Sequence, residues 1–141
     1  MPGFRDVEAI TVYPADPGGT FRVPTVQKAT GFDVRLEAEA GNGRIGPGEL
    51  TPYRATIQIR NLTRFALVTV NAAPANAQGN IGQNETWKTN DQLFVFKVAG
   101  GSAGIDPGDL LEVVGAVAAG APLGDVTNDF SFVQSGIFQV I

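Results

Sequence analysis

A chain of 141 residues that is 43% hydrophobic and 17% charged is too apolar and too weakly charged to remain disordered, and its length suits one domain around one core. Ten Lys and Arg against fourteen Asp and Glu leave a net charge of −4. The basic residues are scattered rather than drawn into a stripe, so nucleic acid is not an expected partner. With no cysteine and no histidine, the sequence excludes disulfides, thiolate metal sites, thiol nucleophiles and imidazole acid–base chemistry.

Residues 1–6 lack the basic region and apolar stretch of a signal peptide, which favours a cytoplasmic location. Two stretches follow that read as strands, 7–13 and 21–26, separated by Pro14, Pro17, Gly18 and Gly19. The clearest alternation runs over 32–40. There Phe32, Val34, Leu36, Ala38 and Ala40 point one way, and Asp33, Arg35, Glu37 and Glu39 the other, as in a strand with one face in a core and one in water.

A glycine-rich connection over 41–52 contains no Lys followed by Ser or Thr and opens no helix, so it is a strand connection rather than a phosphate cradle. The strand after it, 53–59, alternates Tyr53, Ala55, Ile57 and Ile59 with Arg54, Thr56, Gln58 and Arg60. The length of the connection predicts that these two strands lie in different sheets, because hairpin loops usually take two to five residues. If they did pair, Glu39 would meet Arg54 and Asp33 would meet Arg60.

Further strands are predicted over 65–70, 93–98, 110–119 and 130–140, while Pro74, Gly79 and Gly82 rule out a helix over 72–83. No apolar run approaches the roughly twenty residues of a membrane helix; the longest, 113–119, contains a glycine. The segment 110–119 is apolar on both faces apart from Glu112, which calls for cover on both sides, either by the loop 72–83 or by another subunit.

The spacing of these strands and turns resembles that of immunoglobulin-like and fibronectin-like sandwiches. The resemblance implies an antiparallel β-sandwich of about seven to nine strands in a single domain spanning 1–141. Antibody domains also carry a disulfide, which is impossible here, and Trp87 comes late for the tryptophan that packs against it.

With imidazole and thiol absent, catalysis would fall to carboxylates such as Glu37 and Glu39, which share a strand face. An exposed sheet face offers no pocket to raise a carboxyl pKa, so the expectation is a non-enzymatic chain without a cofactor. Asp125, Asn128 and Asp129 offer hard oxygens for calcium, as do Asp106 and Asp109, although Asp and Asn are also ordinary turn residues. Trp87, Tyr53 and Tyr13 can stack on a carbohydrate, or serve the core. Asn61-Leu-Thr and Asn84-Glu-Thr are glycan acceptors only in a eukaryotic secretory setting.

The leading reading is a structural or protein-interaction domain that binds itself or another protein. Its expected interface is Leu110, Leu111, Val113, Val117, Ile137 and Ile141. The alternative is a calcium-assisted carbohydrate-binding module built on Trp87 and Tyr53.

Overall fold

The computed structural model describes residues 6–45, 50–70, 72–120 and 129–141. Among them nine strands form two packed antiparallel-rich sheets, an immunoglobulin-like β-sandwich. The strands are β1 (Val7–Ala15), β2 (Thr25–Val26), β3 (Gly31–Ala40), β4 (Thr51–Asn61), β5 (Ala66–Val68), β6 (Gln78–Ile81), β7 (Asp91–Ala99), β8 (Leu110–Ala119) and β9 (Asp129–Val140). A single helical turn, Asn42–Ile45, follows β3. No described helix is long and apolar enough to cross a membrane.

One sheet has three strands in the order β1-β3-β7. The other has six: β2-β9-β8-β4-β5, with β6 also on β4. β3 and β4 therefore lie in different sheets, as the length of their connection requires. The two inner faces meet in one cluster that includes Val12, Val34, Leu36, Phe94 and Phe96 from the smaller sheet and Ile59, Leu111, Val113, Val117 and Phe138 from the larger. At Gly115 the sheets come so close that a Cβ would lie 2.8 Å from the Leu36 Cδ1 and 3.2 Å from the Val12 Cβ.

Several expected elements are shorter than the sequence implies, each for a local reason. Over 21–26 just Thr25 and Val26 form a strand, pairing in parallel with Gln139 and Val140, because Pro24 has no N–H to give to a ladder. Over 65–70 the strand is Ala66–Val68, since Phe65 closes the β4–β5 hairpin at φ 53. The stretch 72–83 holds a strand that its glycines disguise: β6 pairs with the start of β4, Gly79 opposite Tyr53. Asp33, expected in water, is buried; its Oδ2 accepts from the Gly18 N–H at 2.9 Å and its Oδ1 lies 3.6 Å from the Lys97 Nζ.

The sheet edges are closed by side chains and loops as well as by strands. Along β1, the Val7 and Ala9 N–H groups donate to Asp129 Oδ2 (3.2 Å) and Ser131 Oγ (3.0 Å) of β9. Along β7, Ala72 and Lys97 exchange two backbone hydrogen bonds, of 3.3 and 3.1 Å, and Asn76 Nδ2 donates to the Leu93 carbonyl. The segment 72–83 thus runs along the β7 and β4 edges. It does not lie over the outer face of β8, so the covering loop expected from the sequence is not what meets that face.

Candidate interaction surface

The outer face of the six-stranded sheet is built by three long strands whose side chains alternate with the core. β4 contributes Arg54, Thr56, Gln58 and Arg60; β8 contributes Leu110, Glu112, Val114, Ala116 and Ala118. The register sets these in rows that continue into β9: Arg54, Ala118 and Phe130 form one row, and Thr56, Ala116 and Phe132 the next. Phe130 and Phe132 are 68% and 60% exposed, with ring centroids 6.1 Å apart. Charge on this face is sparse, since Arg60 pairs with Glu112 at 3.7 Å and Arg54 donates to Gln78 Oε1 at 3.1 Å.

A bulge in β9 extends the apolar patch. Gly136, at φ 77, follows Ser135, whose hydroxyl accepts from the Val113 N–H at 2.9 Å. The inserted residue reverses the alternation of the strand. Before it the even-numbered residues Phe130, Phe132 and Gln134 face out; after it Ile137 and Gln139 face out, while Phe138 and Val140 enter the core. Ile137 is 63% exposed as a result.

Of the six residues predicted to form an interface, the structure leaves three at the surface. Leu110, Ile137 and Ile141 are exposed. Leu111, Val113 and Val117 are not available to a partner, because they occupy the inward positions of β8 and are fully buried between the sheets. Phe130 and Phe132, which lie in the terminal strand that the sequence reading offered as interface but were not singled out there, are the large exposed apolar side chains of the strand before its bulge. Their alternation with Ser131 and Val133 was the available signal.

The predicted ligand-stacking residues are likewise in the interior. Trp87 is fully buried against Tyr53, with rings perpendicular at 5.2 Å, and against Phe94 at 5.8 Å. No hydrogen bond reaches Trp87 Nε1 within the described structure. Tyr53 donates its hydroxyl to the Asn76 carbonyl at 2.6 Å, and burial holds its phenol above the ordinary value of 10.0. Neither ring can stack on a sugar without opening the core. Tyr13 lies on the outer face of the smaller sheet under the Arg22 guanidinium, 5.8 Å from its centroid.

Asp125 and Asn128 lie outside the described residues. Asp129 pairs with the buried Arg44 at 3.4 Å. The acidic turn at Asp106 and Asp109 is saturated by cations and amides of the protein itself. Lys28 Nζ donates to Asp106 Oδ1 at 2.7 Å, and the Arg64 guanidinium reaches both carboxylates. Asp109 Oδ2 also accepts from Asn61 Nδ2 at 2.9 Å and the Asp106 N–H at 3.0 Å. Lys28, above all, holds Asp106 below the usual carboxylate value; for Asp109 the leading cause is the hydrogen bond from Asn61. Among the described residues no group of three or more Asp, Glu, His or Cys is disposed to hold a metal ion.

A groove of about 520 Å³ lies between β4, Val70 and residues 73–78, lined by Ala55, Ile57, Pro74, Ala77 and Phe96 among others. Arg54 is its one titratable residue, so no acid–base pair converges there.

No protein-family model matches the chain, and no curated protein does. Among solved structures it is similar to AggA, the major subunit of aggregative adherence fimbriae type I from Escherichia coli, at 11% identity and a TM-score of 0.55. The alignment covers 100% of this chain and 99% of that one, so the likeness extends over the whole sandwich and is a likeness of fold.

Proposed function

We propose that the chain is a non-catalytic structural subunit that assembles with copies of itself through the outer face of the six-stranded sheet. The observation that carries this reading is the row of large apolar side chains, Phe130, Phe132 and Ile137, standing in water over a core that is already closed beneath them. Fully burying one such side chain stabilises by about 1.5–3 kcal/mol, so three together give association a substantial driving force. A solitary fold has no use for them. The similarity to a fimbrial major subunit lends support at the level of architecture, and the absence of His and Cys supports a role without catalysis.

The test is the molar mass in solution, by light scattering or sedimentation across a micromolar concentration series. The wild-type chain is expected to exceed the monomer mass and Phe130→Lys/Phe132→Lys to return to it, with an unchanged circular dichroism spectrum because both residues point away from the core. A wild-type chain that stays monomeric throughout the series would overturn the reading.

A further inference from the structure

The outer face of the three-stranded sheet differs in character from the face just described. Its register aligns Glu8, Glu39 and Asp91 in one row across β1, β3 and β7, with Glu37 two residues along β3. Adjacent strands are about 4.8 Å apart, so the row sets like charges side by side, an arrangement that costs stability in an isolated sheet. None of the four carboxylates belongs to an ion pair among the described residues. Glu37, Glu39 and Asp91 line a trough of about 460 Å³, with Ile10 on one side and Leu93 on the other. Ile10 stands there because it is the extra residue of the β1 bulge, which lets Ala9 and Thr11 face consecutive residues of β3. A largely polar, acidic trough with an apolar side chain on either flank matches a long cationic side chain: the stem packs on Ile10 and Leu93 while the head meets the carboxylates.

The six-stranded sheet presents that pattern. Arg54 is exposed, has no carboxylate partner among the described residues, and shares its row with Ala118 and Phe130. We propose that the outer face of the six-stranded sheet in one copy stacks on the outer face of the three-stranded sheet in the next, with Arg54 entering the trough rimmed by Glu37, Glu39 and Asp91. This rests on the reading of the chain as a self-assembling subunit and names the surface that its apolar patch meets. The two faces are different and lie on opposite sides of the sandwich. Each added copy therefore exposes a fresh face, and the assembly grows beyond a closed two-fold dimer.

The experiment is a charge swap read by light scattering on the full chain. Arg54→Glu and Glu39→Lys are each expected to weaken association by about tenfold, the range of a single interfacial charge contact. The double variant, which restores opposite charges across the interface, is expected to recover most of that loss. In wild type, raising ionic strength from about 0.05 M to 0.5 M is expected to weaken association, since it shortens the screening length severalfold. All substituted side chains face outward, so each variant is expected to keep the wild-type circular dichroism spectrum. Association abolished by Phe130→Lys/Phe132→Lys but indifferent to Arg54→Glu and Glu39→Lys would overturn the stacking while leaving the assembling-subunit reading intact. A mass that stops at two copies as concentration rises also overturns it. A wild-type monomer removes both.

Discussion

Phe65 occupies the left-handed region, at φ 53, with 95% of its surface in water. A residue with a Cβ bears about 1–2 kcal/mol of strain there, while Asn tolerates the conformation, and an exposed ring recovers little by packing. Asn61 already organises this turn by accepting from the Arg64 N–H at 3.2 Å. Phe65→Asn is therefore expected to raise stability by about 0.5–1 kcal/mol, read as a higher denaturant midpoint at unchanged slope. A lower midpoint would mean that the ring holds the hairpin through contacts stronger than the strain. Nothing in the sequence marks this site, because a turn that wants glycine or asparagine carries phenylalanine instead. Trp87 was more legible: a single large aromatic in a sandwich has few places to go other than the core.

Three connections that are distant in sequence are tied together by Lys28, Asn61, Arg64, Asp106 and Asp109. Both aspartates have folded pKa values below the ordinary 3.8, so their charged forms favour the fold. That contribution is complete above the unfolded value and is lost as pH falls through the lower folded values. Thermal stability is thus expected to drop as pH falls below about 4, and Asp109→Asn to reduce that drop while lowering stability at neutral pH. Melting curves of both proteins across that range decide the matter; parallel losses would show that other carboxylates are responsible. The sequence offered these residues as a turn or as calcium ligands, and could not show that cations more than forty positions away would fill the ligand positions. At the same scale β3, β4 and β8 were readable because one face of each is uniformly apolar. β2 and β5 were readable as strands but not in their short extent, which Pro24 and the left-handed Phe65 set, and β6 was hidden because Gly79 interrupts the pattern while tertiary pairing supplies the strand.

Over the whole molecule, alternation and turn spacing were enough to give the two-layer architecture, and the long connection after β3 placed its neighbours in separate sheets. The assignment of faces was only half legible. Either set of apolar residues on β8 fits a core, and only the packing of the three-stranded sheet on the side of Leu111, Val113 and Val117 decides which set is inside. The bulge at Ser135 and Gly136 hides the phase of β9 in the same way. A different consequence follows from the side chains of β9 that close the edge of β1. Asp129 binds the Val7 N–H across 122 residues of chain, and Ser131 binds the Ala9 N–H across the same separation. Such contacts form only after nearly the entire chain has been drawn together, so the loss of chain entropy precedes the gain from pairing. Refolding from denaturant is accordingly expected on the millisecond-to-second scale typical of β-sandwiches. Substitution of Ser131 by Ala is expected to accelerate unfolding more than it slows folding, because this closure belongs to the late side of the barrier.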